Sequence, residues 1–292
     1  MQYIVLDLEW DNDYYPKIRR SINQILQIGA VKLDENFNLI DTFSINIKSV
    51  FSKKVSSRFS ELTGITKEIM LNGVSPDDGV NMYNAWAGNG YITITYSDSD
   101  LRAIHENEEN IFSPGVIFNI ENYLDAQKYF QNELALIGKG EKNQISLKQM
   151  GELFEVESDN LSLHTARDDC ILCAEILKKC YNKERFERFV HRADDKDFYN
   201  RLFFKKCYIR NINDPRVDLN SISYTCPFCK EKLVQVKKWS LEGNGFRALY
   251  RCRKCRTSFT ARRSFKITYD GVEKKGRLSK HVKKEKVKNG NM

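Results

Sequence analysis

No stretch of the 292 residues approaches the ~18 or more consecutive apolar residues that a membrane-spanning helix needs, so no membrane partner is expected. The N-terminal MQYIVLDLEW also lacks the unbroken apolar run of a secretory signal, because Asp7 and Glu9 interrupt it; the expectation is a cytoplasmic protein. No internal repeat is visible. Acidic residues are scarce in only one part of the chain. Residues 201–292 hold 25 Lys+Arg against 7 Asp+Glu, a net +18, whereas residues 1–200 hold 22 against 32, a net −10. The overall +8 therefore covers two electrostatic objects, of which the basic one points to a solvated surface or a polyanion partner. With 41% apolar residues the chain has enough for a core, which excludes wholesale disorder, and its length argues for one large domain plus a smaller one. Eight cysteines in a chain without an export signal read as thiols or metal ligands before disulfides.

The first 180 or so residues alternate strand and helix patterns. Strands are expected over Tyr3–Trp10, Ile25–Leu33 and Leu39–Ile47, a meander whose second turn is Asp34-Glu35-Asn36. Ser75-Pro76 reads as a helix start, with Ser at the cap and Pro in the first turn. Tyr91–Thr95 is a further strand, Asp98–His105 opens a helix, another helix runs from Asp125 to about Leu136, and the most periodic segment is Thr165–Tyr181. Strands first and then strands alternating with helices predict an α/β fold, a mixed sheet flanked by helices. Residues 183–221 read as a charged helical connection and linker, 222–268 as a small all-β module, and 269–292 as a basic, disordered tail.

Three acidic groupings carry chemistry. Asp7 and Glu9 are two apart on a strand and leave the same face, among apolar neighbours where two like charges need a neutralising cation; a solvated strand end is the alternative. Asp98 and Asp100 follow the YITIT strand, where open α/β sheets place ligands, although Ser and Asp there could equally cap a helix. His164 stands at the entry of a helix with Asp168 and Asp169 in its first turn. Carboxylates suit hard ions such as Mg²⁺, two of which can clamp the attacking and leaving oxygens of a phosphodiester displacement, and a neutral imidazole can take a proton from water.

Taken together these residues resemble the DEDDh 3′–5′ exonucleases. Asp7 and Glu9 in VLDLEW, Asp100 in TYSDSDLRAI, and His164 with Asp169 in LHTARDDCILCAEIL match the motifs, with Asp98 competing for the middle position. QILQIGAVKLDENFNLIDTFSINI, ELTGITKEIM, NYLDAQKYF and ISLKQMGELF resemble the text between them, so the likeness covers residues 1–182 and is nearest to KapD-like and RNA-interference-type exonucleases. Cys170 departs from the Ala usual in the family. The resemblance implies an RNase H-like fold and two Mg²⁺ or Mn²⁺ ions. Asp7, Glu9 and Asp169 would hold one ion, Asp7 and Asp100 would act on the other, and His164 would be the general base. Trp10 and Leu62-Thr63-Gly64-Ile65 would lie near the terminal nucleotide of a single-stranded 3′ end.

Cys226-x2-Cys229 and Cys252-x2-Cys255, 22 residues apart, are two thiolate knuckles suited to one tetrahedral, structural Zn²⁺. This module resembles a zinc ribbon, most of all those of some transposases, with Lys230 and Arg256 where Gly commonly follows each knuckle. Trp239, Arg247, Arg251 and Arg253 in and around it are candidates for gripping nucleic acid. The leading expectation is a metal-dependent 3′–5′ exonuclease, RNA slightly preferred over DNA. The rivals are a regulatory nucleic-acid-binding protein without activity on the same fold, and a hydrolase of small oligonucleotides. Protein partners are not legible.

Overall fold

The computed structural model describes residues 2–140, 143–157, 165–219 and 221–281, and the chain divides into two compact units, Met1–Leu202 and Phe203–Met292. The first unit opens with β1 (Gln2–Tyr15), β2 (Arg20–Leu33) and β3 (Leu39–Asn46), an antiparallel meander. Two short helices, α1 (Ser57–Thr63) and α2 (Lys67–Asn72), follow. Then come α3 (Pro76–Ala87), β4 (Tyr91–Thr95), α4 (Ser99–Asn110), β5 (Asn122–Asp125) and α5 (Ala126–Leu136). The unit closes with α6 (Leu147–Leu153), α7 (Ala166–Cys180), α8 (Lys183–Glu187), β6 (Val190–Arg192) and α9 (Lys196–Phe203). The strand order is β3-β2-β1-β4-β5-β6, with β1, β4 and β5 parallel to one another and the rest antiparallel, a mixed sheet as expected.

The period of two along β1 divides the core. Tyr3 and Val5 pack with Leu172, Cys173 and Ile176 of α7 and with Tyr129 and Phe130 of α5, while Ile4, Leu6 and Leu8 pack with Val80 and Tyr83 of α3 and Leu101 and Ile104 of α4. Asp7 and Glu9 continue the row of Tyr3 and Val5, so their side chains leave on the α7 side. Helix α3 starts at the cap read from the sequence, the Ser75 hydroxyl accepting from Asp78 N–H at 3.1 Å, and α7 is capped in the same way by the Thr165 hydroxyl, which accepts from Asp168 N–H at 3.3 Å. The β1–β2 hairpin runs further than the apolar pattern predicted, to Tyr15 and Arg20. Its polar extension is held by the ladder and by side-chain pairs such as Asn12 with Asn23 at 2.7 Å.

Two expectations are corrected. Residues 183–202 are not a connector. Phe186 is buried among Tyr3, Phe37 and Tyr129, β6 adds an edge strand to β5, and Phe198 packs on the α3/α4 side of the core. The charge density of this segment masks a few apolar anchors spaced to reach a sheet already in place. The expected disordered tail also begins too early, because Gly271–Lys280 forms β11, paired along its length with β10 (Ser258–Thr268). Val272 and Leu278 reach the apolar side and the backbone ladder supplies the rest, so a strand forms despite its Lys and Arg content.

The second unit is otherwise a sheet of β8 (Leu233–Glu242), β9 (Gly245–Cys252), β10 and β11 in the order β11-β10-β9-β8, with β7 (Cys207–Tyr208) beside the end of β10. The β8–β9 hairpin turns on Gly243 and Asn244, between the paired Glu242 and Gly245, with Gly243 taking φ +61°. Ile209 and Leu219, from the segment read as linker, are buried with Phe246 and Phe265 in this unit's own core. Among the described residues no helix is long and apolar enough to cross a membrane.

Candidate functional site

Asp7 and Glu9 lie just beyond the segment of β1, Gln2–Val5, that pairs with β4, whose own last residue is Thr95. Opposite Asp7 on β2 is Gly29, and a Cβ there would fall 2.5 Å from Ala166 Cβ and 2.7 Å from Arg167 N. Only a glycine lets the first turn of α7 press onto the sheet at this point. The Cys170 thiol sits 3.5 Å from Gly29 O, so the larger residue at the family's Ala position is absorbed as a buried thiol against this contact. The consequence is that Asp169, in the first turn of α7, meets the two β1 acids. One carboxylate oxygen from each of Asp7, Glu9 and Asp169 lies within 4.8 Å of the others.

Asp100 arrives from the other side of the sheet. It is buried in the first turn of α4, and its Oδ1 accepts the Leu8 N–H at 3.1 Å, fastening it between the two β1 acids in sequence. Asp98 instead points to Arg102, which it meets at 3.1 and 3.2 Å. Of the two competitors, Asp100 is the one beside the cluster. Asp168 is buried and paired with Arg167 at 2.9 Å, apart from the three-acid group. His164 lies outside the described residues.

Burial is the leading cause in the electrostatics of these acids. Burial, then the charges of Asp100, Glu9 and Asp169, push the Asp7 carboxyl far above the usual range. Burial and then Asp169 and Asp100 push Glu9 up to about 8. Asp100 is pushed up to about 7 by burial, against the lowering effect of the Leu8 N–H, with Asp125 and Asp98 adding to the rise. Such a group of carboxylates is unfavourable as anions unless a cation joins it. The donor set fits a hard divalent ion, whose oxygen ligands span about 4.2 Å across an octahedron with ~2.1 Å bonds. Three oxygens mutually within 4.8 Å are close enough to converge on one such ion.

Over residues 17–177 the chain matches the exonuclease family named RNase_T. The chain belongs to this family. The match begins downstream of Asp7 and Glu9, whose place in the site comes from the β1–β2 register and the contact at Gly29. DNA polymerase III PolC-type of Thermotoga petrophila is 29% identical over 100 residues, which are 34% of this chain and 7% of the polymerase. Among solved structures, cell-death related nuclease 4 is 22% identical with a TM-score of 0.50, over 61% of this chain and 62% of that one. The nuclease domain of 3′hExo, a DEDDh family member bound to rAMP, is 18% identical with a TM-score of 0.51, over 61% of this chain and 90% of that one. These structural likenesses speak for the fold of the exonuclease unit. The chain spans a small part of the polymerase and about three fifths of the cell-death related nuclease.

Around the carboxylates of the exonuclease unit, the expected substrate residues divide. Trp10 follows the irregularity at Glu9/Trp10, where Leu26 is the extra residue on β2, and its ring is half-buried against the α3/α4 core. Leu62 is exposed, and Gly64 ends α1 with φ +73°. The Thr63 hydroxyl bonds Phe59 O at 2.9 Å, and Ile65 is buried with Leu26, Phe59 and Met70. Thr63 and Ile65 therefore build the segment rather than present it. Asp11 ties it to β1, accepting from Ser56 N–H at 2.9 Å. The residue that sequence reasoning passed over is Gly29, whereas Asp125, where a helix was expected to start, caps that helix. A glycine inside an otherwise apolar strand signals close approach, and an acid between a strand and a helix signals a cap; Asp125 accepts Lys128 N–H at 3.1 Å.

In the second unit the four cysteine sulfurs converge. Cys226 and Cys255 Sγ are 3.6 Å apart, Cys229 and Cys252 Sγ 3.4 Å, and all four lie within 4.8 Å. Four thiolates at ~2.3 Å from one tetrahedral Zn²⁺ would be about 3.8 Å from each other, so the set fits that ion. Both knuckles have the same backbone: Cys226 N–H donates to Glu231 O and Cys252 N–H to Thr257 O. Lys230 and Arg256 take φ +57° and +58°, so each non-glycine residue adopts the left-handed turn usually left to Gly. Hydrogen bonding by Thr257 holds the Cys255 thiol down to about 6. Trp239, expected to stack on bases, packs edgewise on Tyr250 at 6.2 Å and lies half-buried against both small cores. Arg247, Arg251 and Arg253 stay at the surface. Cys170 and Cys173 are buried thiols raised well above the usual range by desolvation, with no cysteine partner.

Proposed function

We propose that the protein is a metal-dependent 3′–5′ exonuclease acting on single-stranded nucleic acid, RNA slightly ahead of DNA, whose zinc-bound second unit helps hold the substrate. The observation that carries the reading is the convergence of Asp7, Glu9 and Asp169, with Asp100 beside them, in a chain of the exonuclease family. Asp7, Glu9 and Asp169 would hold one Mg²⁺ or Mn²⁺ ion, and Asp100 with Asp7 a second. Bound there, the ions would supply Lewis-acid stabilisation of the phosphoryl oxygens. The chain's own part is to bring four anions together. Gly29 lets α7 deliver Asp169, the β1 row delivers Asp7 and Glu9, and the Leu8 N–H orients Asp100. His164 would take the proton from the attacking water. Trp10 and the exposed Leu62 and Gly64 would bound the terminal nucleotide. Four thiolates would hold Zn²⁺, which supplies folding energy to a unit with two small cores.

The test is degradation of 5′-labelled single-stranded RNA and DNA with Mg²⁺ or Mn²⁺. The expected product is a ladder shortening from the 3′ end, absent with Asp7→Ala, His164→Ala or chelator. Immediate loss of the label as a mononucleotide would mean the opposite polarity. Binding without degradation under every metal condition would favour a regulatory protein.

A further inference from the structure

The sheet of the second unit has two unlike faces. On one, Phe246, Ala248 and Tyr250 of β9 and Phe259, Ala261 and Phe265 of β10 are buried. The alternate residues leave by the other face. There the register sets Arg247 directly opposite Arg262, and Arg262 directly opposite Arg277, three guanidinium groups abreast on β9, β10 and β11. Strands are about 4.8 Å apart, and like charges opposite each other are destabilising. Glu242 relieves part of this, bridging Arg247 and Arg262 at 3.0 Å each. Arg277 and, two residues before it on the same face, Lys275 are exposed, and among the described residues no carboxylate pairs with either. Glu273 is the other acid on this face, opposite Lys266.

Beside these cations is an aromatic ring. β7 pairs Tyr208 with Lys266, which places Tyr208 on the basic face; the ring is 40% exposed, with Lys266 Nζ 5.7 Å from its centroid. A cavity of about 320 Å³ opens here, its lining including Tyr208, Glu242, Asn244, Arg262, Lys275 and Arg277. That size lies at the lower end of the ~300–1,000 Å³ range of small-ligand clefts, suited to one nucleotide unit. Cations relieve their mutual repulsion on phosphates, and an open ring offers a base a surface to stack on. An acidic peptide would use the charges and leave the ring idle.

We propose that this sheet face binds single-stranded nucleic acid, with Tyr208 stacking on one base in the cavity and Arg277 and Lys275 engaging the flanking phosphates. The proposal rests on, and deepens, the substrate-holding role inferred above for this unit. It moves the grip from the cysteine knuckles to the open sheet face. It assigns three residues that the composition of the knuckles did not single out.

The test is fluorescence anisotropy of 5′-fluorescein-labelled rU20 and dT20 with the full-length chain in buffer free of Mg²⁺ and Mn²⁺, so that nothing turns over. Tyr208→Ala should weaken binding about 5- to 100-fold and Tyr208→Phe should restore it. The double variant Lys275→Glu/Arg277→Glu should lower the slope of log K against log salt by at least about 1.4, two phosphates at ~0.7 each. Lys274→Glu, whose side chain leaves the opposite face of the same strand, should bind like the parent. Unchanged zinc content in each variant shows that the unit is folded. Equal effects of Lys274→Glu and Arg277→Glu, or parental binding by Tyr208→Ala, would overturn the proposal. Displacement of the oligonucleotide by poly-glutamate as readily as by unlabelled dT20 would overturn it in favour of a general anion surface. If the parent degrades RNA or DNA while these variants bind normally, the sheet-face site falls and the exonuclease reading stands. If it degrades neither while the variants lose binding, the reverse holds.

Discussion

Replacing Asp7 by Asn should stabilise the metal-free protein at alkaline pH, an unusual effect for a substitution at a functional site. The three carboxylates that include Asp7 hold oxygens within 4.8 Å of one another. Two unit charges no farther apart than that repel by at least about 3.5 kcal/mol at an effective dielectric of about 20. A second route gives a similar figure. Glu9 is raised from its ordinary 4.5 to about 8, which at pH 8 corresponds to about 4 kcal/mol of folding stability forgone. Water screening and sharing of protons within the cluster lower the part recovered by removing one charge to about 2 kcal/mol. The direction follows from the raised values. Stability contributed by Glu9 and Asp100 is fully present below about pH 4 and is lost as pH rises through about 7 to 8. The assay is thermal unfolding of the exonuclease unit at pH 8 and pH 4.5, after dialysis into Mg²⁺-free buffer without chelator, so that zinc in the second unit is undisturbed. Asp7→Asn should unfold about 4–8 °C higher than the parent at pH 8 and show little gain at pH 4.5. Adding Mn²⁺ should raise the parent's midpoint and leave the variant's nearly fixed. A variant no more stable than the parent at pH 8, or one that gains equally at both pH values, would refute the electrostatic account of the site.

Gly29→Ala drives a Cβ to 2.5 Å from Ala166 Cβ, so α7 must shift; about 1–3 kcal/mol of destabilisation and weaker Mn²⁺ binding are expected, read by calorimetry. Phe186→Ala should cost the exonuclease unit about 3–5 kcal/mol, because the ring is fully buried among Tyr3, Phe37 and Tyr129; a neutral effect in denaturant unfolding would return residues 183–202 to the status of a connector. One zinc ion per chain is expected by elemental analysis. Cys229→Ser or zinc removal should abolish hydrogen-exchange protection in β8 to β11 and spare the sheet of β1 to β6.

The acids were legible because each sits in a pattern with a mechanical meaning: two apart on a strand, just after a strand, and in the first turn of a capped helix. Their convergence was not legible, since it depends on Gly29 and on which faces of β1 the helices cover. The cysteine pairs announced themselves by spacing. What composition hid was structure within charged text. In Arg185–Arg210 a few rings, Phe186 above all, outweigh many surface charges once a sheet exists to receive them. In Gly271–Lys280, Val272 and Leu278 and the ladder with β10 do the same. Trp239 shows the converse: an aromatic among cations, expected to stack on bases, also packs half-buried against two small cores, as a unit this small requires of its large side chains. The exposed rings of this unit are Phe228, in the first knuckle, and Tyr208, in a segment that reads as linker because its strand is two residues long.

The central claim is that Asp7, Glu9, Asp100 and Asp169 act as one metal-holding unit. The direct measurement is the rate of phosphodiester hydrolysis on a single-stranded oligonucleotide across a Mg²⁺ titration, for the parent, the four single Asn or Gln variants and the pair Asp7→Asn/Asp169→Asn. The account predicts that the parent requires the ion, that each single variant falls by about 10³-fold or more, and that the pair is no worse than either single change. Hydrolysis that persists in Asp7→Asn, or losses that add from one variant to the next, would contradict it.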